Sequence, residues 1–403
     1  MSILTSKQIL LGVTGSIAAY KAADLASKLT QLGAQVDVIL TPAAEKFITP
    51  LTFQSVTGRK AFTDSELWGG EAHVLHVGLG YSADLLVIAP CTANTIGKLA
   101  HGLADNLLTI TALAMRSSIL IAPAMDAAMF EHPATQDNIS LLVRRGIRFA
   151  GPDQGHMASG LTGRGRMIEP AELLGHIRLA LGFAGNLAGK KIVITAGGTQ
   201  EPLDPVRMLA NKSSGKQGYA IAQAALDAGG IVVLITAPTS LTPPVGAKIV
   251  QVRTAQEMQA AVLAESSGAE ALVMAAAVAD FRPKTVAENK LKKRDGIPHI
   301  ELEAAPDILL AVAGLGSIKP RVVIGFAAES RDLLVNAGAK LRSKKLDMLV
   351  ANDISTPDAG FSVDTNRVML LFPNAEEETL PLMSKADVAE NIITHLGVLL
   401  ENK

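Results

Sequence analysis

The sequence predicts an α/β protein with two doubly wound, Rossmann-like domains, each built on a mostly parallel β-sheet. Short apolar runs rich in Val, Ile and Leu alternate with amphipathic helical patterns along the chain. The composition agrees, because 48% hydrophobic residues with only 3% aromatic ones suits strands that are buried on both faces. At 403 residues the chain is also long for one domain, so two are expected.

The first half is predicted to alternate strands with helices, in right-handed βαβ units. The predicted strands are QILLGVTG, AQVDVILTP, ADLLVIAPCT, SSILIAPAM and GIRFAGPD. The predicted helices are SIAAYKAADLASKLTQLG, a single helix around NTIGKLAHGLADNLLTITALAM, and one near ATQDNISLLVRRG. In such a sheet, ligands are expected outside the carboxyl ends of the strands.

The regular pattern breaks between Pro152 and Pro170, where the glycine-rich segment DQGHMASGLTGRGRMIE has little periodicity. A segment of this kind is predicted to be a mobile lid or a disordered connection. The helix PAELLGHIRLALG follows, and then FAGNLAGKK, a short joint of small residues. We place the domain boundary in this joint, which gives domains at residues 1–186 and 187–403.

The second half repeats the alternation without repeating the sequence of the first half. Its predicted strands are KKIVITAG, GGIVVLITAP, AEALVMAAAVAD, RVVIGFAAES and LDMLVANDIS. Helices are predicted to begin at Gly218, Thr254 and Leu333. An edge hairpin in NRVMLLFPNAEEETLPLM and a closing helix, KADVAENIITHLGVLL, complete the second domain.

Composition argues against several classes of protein. The 37 Lys and Arg residues balance 38 Asp and Glu residues, so the basic excess of a nucleic-acid-binding protein is missing. Cys91 is the only cysteine, which excludes an intramolecular disulfide and a thiolate metal site. No signal-peptide pattern and no apolar run of membrane-spanning length is present. We therefore expect a soluble cytoplasmic protein that binds neither nucleic acid nor a membrane.

In the first half, polar residues at strand ends suggest a phosphate site. The turn GVTGSIAAYK lacks the G-x-G-x-x-G pattern of dinucleotide sites but suits a single phosphate. Its donors would be Thr14, Gly15, Ser16 and Ile17. Asn94, Met125 and Asp126 follow two further apolar strands, so we expect them at the same edge of the sheet. His76, just before a predicted strand, is the candidate general acid or base, although a structural histidine is the commoner case.

The second half contains a strand that runs into AGGTQEP, and then NKSSGKQGY, which opens a helix. Glycines in these turns free N–H groups to face an anion. SSGKQG is not a Walker loop, because Gln217 follows Lys216 where Ser or Thr is required. Lysines that recur near positions 284–293 and 340–345 make a triphosphate pocket plausible, although charge runs usually mark a solvated face. Asp280, expected to end a strand, is the candidate Mg²⁺ ligand.

Five first-half motifs together resemble the flavin-dependent cysteine decarboxylases: GVTGSIAAYK, the His76 segment AHVLHVGLGYSAD, APCTANTIGKLAHGLADNLL, PAMDAAMF and the loop ending GRGRM. The resemblance covers about residues 1–180 and is closest to the decarboxylase half of bifunctional coenzyme A biosynthesis proteins. It implies oxidative decarboxylation of 4′-phosphopantothenoylcysteine to 4′-phosphopantetheine, with electrons passed to FMN and back. The implied FMN-binding residues are Gly15, Ser16, Ile17, Thr41, Asn94 and Met125.

Three catalytic positions follow from the same resemblance, and two of them depart from the family pattern. His76 matches the family's catalytic histidine, with His73 as a competing candidate. Asp126 stands where the family has an asparagine for the substrate carboxylate, and two carboxylates repel unless one is protonated or bridged. Ser159 stands where a loop cysteine commonly donates a proton, and a hydroxyl is a much weaker acid than a thiol.

The second-half motifs resemble 4′-phosphopantothenate–cysteine ligase across residues 189–400. These motifs are ITAGGTQEPLDPVRMLANKSSGKQGYAIA, AAAVADFRP, AENKLKK, APDILL, VIGFAAES and LVANDI. The resemblance implies that 4′-phosphopantothenate reacts with CTP to form an acyl-cytidylate, which cysteine then converts to the amide. Asn211 matches the asparagine that turns over the acyl-cytidylate, and Lys290 would stabilise charge at the reacting phosphate. The other implied CTP-site residues are Gly197, Gly198, Thr199, Met274, Ala275, Asp280, Pro306, Asp307, Ile308, Leu309, Phe326, Lys340 and Lys344.

The interpretation is therefore a bifunctional enzyme with FMN, Mg²⁺ and CTP, and with 4′-phosphopantothenate and cysteine as its other substrates. The alternative is a working ligase with a different kind of flavin domain. That domain could be impaired or regulatory, could act on another cysteinyl substrate, or could be a prenyl-flavin-type transferase. By resemblance, decarboxylase domains form trimers and ligase domains form dimers, which implies a homododecamer.

Overall fold

The computed structural model describes residues 2–67, 74–156, 160, 162–293, 296–329, 333–353 and 363–403. The chain divides into two units, residues 1–182 and residues 183–403, and each has its own sheet and its own buried apolar core. The predicted class, α/β with two doubly wound domains, is confirmed. Within the described residues, no helix is both long enough and apolar enough to span a membrane.

The first sheet has six strands, β1 (Gln8–Val13), β2 (Gln35–Leu40), β3 (Ala61–Phe62), β4 (Leu85–Cys91), β5 (Ser118–Pro123) and β6 (Arg148–Phe149). They lie in the order β3-β2-β1-β4-β5-β6, and their pairings are parallel. The apolar, fully buried β4 explains this placement, because a strand covered on both faces belongs at the centre. The order reverses direction between β1 and β4, so a ligand crevice is expected there.

Eight α-helices accompany this sheet in the described part of the first unit: α1 (Ala19–Gln31), α2 (Pro50–Thr57), α3 (Leu75–Ser82), α4 (Ala93–His101), α5 (Leu107–Ala114), α6 (Ala127–Glu131), α7 (Pro133–Arg144) and α8 (Pro170–Gly182). Single 3₁₀ turns cover residues 44–46 and 64–66. The single helix predicted around residues 94–115 is wrong, because it is divided into α4 and α5. Gly102, with φ of 67°, ends α4, and Asn106 caps α5 by accepting a hydrogen bond from the Thr109 N–H.

The predicted lid or disordered connection forms an antiparallel hairpin of β7 (Asp153–His156) and β8 (Thr162–Arg166). The hairpin lies against the loop after β5, where the Met125 N–H donates to the Gly165 carbonyl at 2.9 Å. A Cβ on Gly165 would lie 2.3 Å from the Met125 carbonyl oxygen, so only glycine permits this approach. The many glycines therefore serve close packing here as well as backbone freedom.

The second sheet has eight strands, β9 (Lys191–Ala196), β12 (Ile231–Thr236), β13 (Lys248–Gln251), β14 (Ala271–Met274), β17 (Val322–Glu329), β18 (Met348–Asp353), β20 (Val368–Leu371) and β21 (Glu377–Thr379). Their order is β13-β12-β9-β14-β17-β18-β20-β21. The first six are parallel, and β20 and β21 add the antiparallel edge hairpin that the sequence predicts. The direction reverses between β9 and β14, as it does between β1 and β4 in the first sheet.

Three small antiparallel pairs complete the strands: β10 (Gln200–Pro202) with β11 (Met208–Ala210), β15 (Phe281–Pro283) with β16 (Leu302–Ala304), and β19 (Thr365–Asn366) with β22 (Met383–Ser384). The helices are α9 (Lys216–Asp227), α10 (Ala255–Ser266), α11 (Ile308–Ala313), α12 (Leu333–Ser343) and α13 (Lys385–Glu401), with a 3₁₀ turn at Gly316–Ile318.

Two boundaries in the second unit differ from the prediction. The helix α9 begins at Lys216 rather than Gly218, because Gly215 adopts a left-handed φ of 78° and ends the preceding turn. Gly218 serves packing instead, since a Cβ there would lie 2.6 Å from the Ala196 Cβ on β9. The strand β14 ends at Met274, so Asp280 lies in the following loop and does not end a strand as predicted.

Candidate functional site

A cleft of about 790 Å³, the N-terminal cleft, opens at the carboxyl ends of β1, β2, β4 and β5. Its walls come from the loops after these strands and include residues 14–17, 41–43, 92–95 and 124–125. It lies at the point where the strand order reverses, which is where doubly wound sheets bind nucleotide ligands. The structure brings together here all six residues predicted to bind FMN, namely Gly15, Ser16, Ile17, Thr41, Asn94 and Met125.

Thr14 fixes the first wall of this cleft. Its buried hydroxyl donates to the Pro90 carbonyl at 2.8 Å and accepts from the Thr92 N–H at 3.1 Å. These bonds hold the turn after β1 beside the start of α4. A Cβ on Gly15 would lie 2.5 Å from the Ala43 Cβ, so glycine lets this turn approach the loop after β2. The result is a narrow turn whose backbone can face a phosphate.

The start of α4 forms the second wall. Thr92 caps the helix by accepting from the Thr95 N–H at 3.4 Å, and Asn94 is exposed in the first turn. Further along α4, Lys98 contacts Asp105 at 2.7 Å, and both side chains line the cleft. The hydrogen bond from Lys98 lowers the pKa of Asp105 below its ordinary value. Sequence reasoning missed this pair, because their contact crosses the turn between α4 and α5.

A second cleft of about 820 Å³, the C-terminal cleft, opens at the carboxyl ends of β14, β17 and β18 and at the start of α9. The structure brings together here most of the residues predicted to act on CTP: Asn211, Met274, Ala275, Asp280, Pro306, Asp307, Ile308, Leu309, Phe326, Lys340 and Lys344. Among the described residues, no group of three or more His, Cys, Asp or Glu is placed to hold a metal ion. Asp280, the predicted Mg²⁺ ligand, is exposed and lines the cleft.

The two predicted lysines of α12 face the cleft as their four-residue spacing implies. Lys340 donates to the Phe326 carbonyl at 2.7 Å, and Lys344 forms an ion pair with Asp307. Asp307 also caps α11 through the Leu310 N–H at 3.0 Å. Burial alone would raise the pKa of Asp307. The ion pair with Lys344 and the hydrogen bond from the Leu310 N–H outweigh burial, so the pKa lies below the ordinary value. These lysines shape one end of the cleft through contacts with its own wall.

Comparison with known proteins follows the same division into two halves. Residues 2–181 match the family described as flavoprotein, and residues 187–399 match the DNA/pantothenate metabolism flavoprotein C-terminal domain. The chain is 43% identical over 400 residues to the coenzyme A biosynthesis bifunctional protein CoaBC of Bacillus subtilis, with 98% of each chain covered. It is 44% identical over 405 residues to the protein of that name from Vibrio vulnificus strain YJ016, with 99% and 100% covered.

The chain belongs to this family. It is therefore a bifunctional coenzyme A biosynthesis enzyme, with a flavoprotein decarboxylase domain followed by a ligase domain. The flavoprotein match supports a flavin cofactor for the first domain. An N-terminal domain that is merely regulatory or impaired is not favoured, because the similarity to bifunctional relatives extends over the full length.

Solved structures resemble each domain separately. The C-terminal domain of a coenzyme A biosynthesis bifunctional protein CoaBC is 39% identical, with a TM-score of 0.47, and covers 55% of this chain and 100% of its own. A mutant PPC decarboxylase complexed with pantothenoylaminoethenethiol is 34% identical, with a TM-score of 0.40, and covers 43% of this chain and 97% of its own.

The three predicted catalytic residues of the flavoprotein domain are not all placed at the N-terminal cleft. His76 lies half-buried in the first turn of α3, so the prediction that it directly precedes a strand is wrong. Helix α3 packs on α5, where Gly80 approaches Ala114, and His76 is absent from the cleft lining. Ser159 and the competing His73 lie outside the described residues.

Asp126 occupies the turn that follows the cleft residue Met125. Its carboxylate caps α6 by accepting a hydrogen bond from the Ala128 N–H at 3.0 Å, and this interaction gives an aspartate there a local structural role.

The lone thiol of the chain cannot replace the loop cysteine that the family commonly has at the position of Ser159. Cys91 is completely buried on β4, and burial raises the pKa of its thiol far above the ordinary value.

In the ligase domain, Asn211 follows β11 and forms one wall of the C-terminal cleft. Its Nδ2 donates to the Val278 carbonyl at 3.1 Å and lies 3.5 Å from the Ala277 carbonyl. This contact ties the Asn211 hairpin to the loop that carries Asp280. The predicted grouping of Asn211 with Asp280 in one site is therefore present in the structure.

Gly197, Gly198 and Thr199 do not line the cleft, although the sequence places them at the nucleotide phosphates. Thr199 is completely buried, and its hydroxyl accepts the Ala279 N–H at 2.9 Å. Gly198 forms a bridge with Ala277, and a Cβ on it would lie 2.9 Å from the Asn211 carbonyl oxygen. Gly198 and Thr199 thus contact the loop over residues 275–280, whose members line the cleft.

Lys290 is exposed between β15 and β16 and does not line the C-terminal cleft in this structure. Its segment is anchored by Asp204, whose side chain is fully buried. Asp204 accepts the Leu291 N–H at 3.1 Å, and it also accepts the N–H groups of Val206 and Arg207 at 2.7 and 2.8 Å. Val206 and Arg207 belong to the β10–β11 hairpin, which directly precedes Asn211. The Asp204 carboxylate therefore connects the segment that leads to Asn211 with the segment that carries Lys290.

We expect Asp204→Asn to destabilise the protein near neutral pH. Burial raises the pKa of Asp204, but the backbone N–H groups lower it more, so the folded-state pKa lies below the ordinary value. Such a carboxyl stabilises the fold above its unfolded-state pKa, and this contribution is lost as the pH falls through that value to the folded pKa. Thermal unfolding should show a melting temperature about 2 to 4 °C lower than wild type near neutral pH.

The same measurement repeated below about pH 4 should show the two melting temperatures converge, because the contribution disappears only as the pH approaches the folded-state pKa. Asp227→Asn, at the end of α9 in the same domain, is the control and should show a smaller difference at neutral pH. A difference for Asp204→Asn that is constant with pH would contradict the role assigned to its charge.

Asn352, Asn366 and Lys385 line the cleft although the sequence predictions did not name them, whereas Lys216 and Gln217 belong to the predicted anion-binding turn NKSSGKQGY. Asn352 carried a usable signal, because it is a polar residue at the carboxyl end of an apolar strand. Asn366 and Lys385 carried none, since β19 and the start of α13 reach the cleft only through the tertiary fold.

Proposed function

We propose that the ligase domain joins 4′-phosphopantothenate to cysteine with CTP, and that the flavoprotein domain uses FMN to convert the product to 4′-phosphopantetheine. One observation carries this proposal. In a chain that covers 98% of a bifunctional relative, the residues matched to FMN gather in one cleft and most of those matched to CTP gather in another. We keep the domain boundary between residues 186 and 187 as part of the proposal.

The N-terminal cleft fits a flavin mononucleotide at its phosphate end. The narrow turn of Gly15, Ser16 and Ile17 and the capped start of α4 present backbone donors where the strand order reverses. Thr41 and Met125 line the remaining walls. When bound, the flavin supplies the electron acceptor and donor for the cysteinyl group. The cleft residues of this chain bind and orient it.

We expect the purified protein to be yellow and Gly15→Val to be colourless. A valine side chain would collide with Ala43, whose Cβ lies only 2.5 Å from the position of a Cβ on Gly15. The phosphate turn would move, and flavin should be lost on gel filtration. Flavin absorbance per chain measures this, with Gly78→Ala as control, since nothing lies within 4 Å of a Cβ there and its φ is not left-handed. A wild-type protein that takes up no added FMN would refute the FMN proposal.

For the decarboxylation, we assign His76 to proton transfer and Asp126 to the neighbourhood of the substrate carboxylate. Oxidation of the carbon that bears sulfur creates an electron sink beside the carboxylate, so CO₂ leaves without an unstabilised carbanion. Ser159 would then position a water rather than donate a proton, because its hydroxyl is a weak acid. The reductive half of the reaction is therefore the slow half in this proposal.

We expect Ser159→Cys to accelerate formation of 4′-phosphopantetheine by about tenfold or more, because a positioned acid contributes 10² to 10⁴ in rate. CO₂ release should change little. Stopped-flow flavin absorbance and mass spectrometry of the thiol products measure the two halves separately. Ser159→Ala is the comparison and should form 4′-phosphopantetheine no faster than wild type. Equal rates for the serine and cysteine proteins would count against a missing proton donor.

For ligation, a carboxylate is a poor electrophile at neutral pH and needs activation. A carboxylate oxygen of 4′-phosphopantothenate attacks the α-phosphorus of CTP, and the bond to the bridging oxygen breaks as pyrophosphate leaves. The cysteine amine then attacks the acyl carbon, CMP departs with the electron pair, and the amine loses a proton. Asn211 and Asp280 face this reaction in the C-terminal cleft, and Lys290 supplies positive charge from its anchored segment.

The test of the ligase proposal is release of CMP and pyrophosphate that depends on both 4′-phosphopantothenate and cysteine. Turnover with ATP should be much slower, and equal turnover would refute the assignment to CTP.

We further propose a cytoplasmic homododecamer of trimeric decarboxylase and dimeric ligase contacts. The exposed side chains of Ile17, Phe47 and Met129 at the N-terminal cleft support it, since another copy could cover them.

A further inference from the structure

The ammonium of Lys21 is a buried charge outside the N-terminal cleft. Lys21 lies in the first turn of α1, is only 5% exposed, and is not among the residues that line the cleft. Its Nζ donates to the Met167 carbonyl at 2.9 Å and to the Glu169 carboxylate at 2.9 Å. Because a buried cation is costly unless it is paired and hydrogen-bonded, the position of Lys21 depends on these two acceptors.

Both acceptors follow directly after β8, the second strand of the β7–β8 hairpin. Met167 is the next residue after the strand and is buried in the apolar core. Glu169 lies just before α8, and its carboxylate also pairs with Arg166, the last residue of β8, at 2.5 Å. The hydrogen bond from Lys21 lowers the pKa of Glu169 below its ordinary value. An ionised carboxylate between two cations therefore joins α1 to the end of the hairpin.

The strand β8 also supports the turn that follows β5. The Gly165 carbonyl accepts a hydrogen bond from the Met125 N–H at 2.9 Å. A Cβ on Gly165 would lie 2.3 Å from the Met125 carbonyl oxygen and 3.2 Å from the Ala127 nitrogen, so the strand and the turn are in close contact. Met125 lines the N-terminal cleft, and Asp126 is the residue assigned to the substrate carboxylate. A shift of β8 would therefore shift this turn.

The other end of the connection is the phosphate turn of residues 15–17. The Ala18 N–H donates to Ser16 Oγ at 3.3 Å, and the Ala19 N–H donates to the Ser16 carbonyl at 3.0 Å. The Lys21 N–H in turn donates to the Ala18 carbonyl at 3.0 Å. The phosphate turn and the first turn of α1 thus form one continuous hydrogen-bonded segment. A group that fixes the phosphate turn also fixes the backbone of Lys21.

We propose that Lys21 is a positioning residue that couples occupation of the phosphate turn to the position of β8 and of the Met125–Asp126 turn. A bound phosphate group fixes the start of α1, Lys21 holds the end of β8, and β8 supports the turn assigned to the substrate carboxylate. Such coupling is reciprocal, because each site changes the affinity of the other by the same factor. The inference rests on the proposed FMN site and adds to it a residue that lies outside the cleft.

The first test compares FMN with riboflavin, which has the same ring system but no phosphate group. Lys21→Met keeps an unbranched side chain of similar length and removes the ammonium. Fluorescence titration of the flavin-free, full-length protein should show that FMN affinity falls about tenfold, while riboflavin affinity stays within about twofold of wild type. An equal loss for the two ligands would indicate a general structural defect and would overturn the inference.

Glu169→Gln separates this coupling from direct attraction between the Lys21 charge and the phosphate group. If Lys21 acted by direct attraction, removal of the Glu169 charge would strengthen FMN binding, because the lysine would be less neutralised. Coupling through β8 predicts weaker FMN binding, by a smaller factor than for Lys21→Met. The Glu169 side chain is 53% exposed, so this variant also tests the inference if Lys21→Met folds poorly. Stronger or unchanged FMN binding by Glu169→Gln would count against coupling.

Hydrogen exchange measures the position of the hairpin itself. Residues 162–169 do not line the cleft, so slower exchange of their amides on FMN binding would not come from direct contact. FMN should slow this exchange in wild type and in the control Lys28→Met, whose exposed lysine pairs with Asp24 on the same helix. At saturating FMN, Lys21→Met should show little slowing. No slowing in wild type, or equal slowing in wild type and Lys21→Met, would overturn the inference.

Inorganic phosphate separates this inference from the proposed function. A wild-type protein that binds no FMN would refute the FMN site, but phosphate at high concentration would still occupy the phosphate turn. If phosphate then slows exchange in residues 162–169 of wild type and not of Lys21→Met, the coupling is supported without FMN. If phosphate affects the two proteins equally, Lys21 does not connect the turn to β8.

Discussion

Asn211→Ala is expected to arrest ligation after the first half-reaction. Asn211 stands in the C-terminal cleft, fixed by its bonds to the carbonyls of the loop that leads to Asp280. Removing one positioned amide from a site of this kind costs about 10² to 10³ in rate. Pyrophosphate should still appear, up to about one equivalent per active site, while CMP release and amide formation fall by that factor.

Rapid-quench analysis of pyrophosphate, CMP and acyl-cytidylate measures this partition directly. Asn391→Ala, away from the cleft on α13, should release pyrophosphate and CMP together, as wild type does. Full product formation by Asn211→Ala would remove Asn211 from the mechanism. A parallel loss of pyrophosphate release would move its role to the first half-reaction.

Lys290→Gln is expected to have the opposite signature and to slow pyrophosphate release itself. A cation that stabilises charge at the reacting phosphate acts before pyrophosphate leaves, and its loss should cost about 10² to 10³ in rate. The Lys290 side chain is exposed beside its anchor at Leu291, so its removal should leave the fold intact. Pre-steady-state pyrophosphate release measures the effect. A normal burst followed by slow CMP release would contradict it.

The anchor Asp204 gives this prediction a structural check. Asp204→Asn should slow the same step by a smaller factor, about tenfold, because it displaces the Lys290 segment without removing the ammonium. The double variant should be no slower than Lys290→Gln alone, since residues that act through one contact are not additive. Additive losses would show that Asp204 acts by another route.

Much of the fold follows from the sequence, and the reason is visible in particular strands. LLVIAPC in β4 is apolar and buried throughout, and IVITA in β9 is buried throughout, as central parallel strands must be. The helix break at Gly102 and the hairpin at residues 153–166 were missed. Both depend on local backbone conformation and on close packing of glycines, which hydrophobic periodicity does not report.

The candidate sites, like the fold, could be predicted from the sequence only in part. Residues that follow buried strands, such as Asn94 and Met125, line a cleft as expected, because the carboxyl edge of a parallel sheet is a fixed location. Thr199 does not line the cleft, and its hydroxyl instead accepts a hydrogen bond from the cleft loop at Ala279, a contact that strand periodicity does not report. Lys385 could not be predicted, since only the packing of α13 brings its first residue to the cleft.

The central claim is that one chain both ligates and decarboxylates, and a single stoichiometry tests it most directly. The full-length protein, loaded with FMN, is mixed with 4′-phosphopantothenate, carboxyl-labelled cysteine, CTP and Mg²⁺, and labelled CO₂ and CMP are counted together. The account predicts one CO₂ for each CMP once the reaction is steady. Continued CMP release with no CO₂, while 4′-phosphopantothenoylcysteine accumulates, would contradict it.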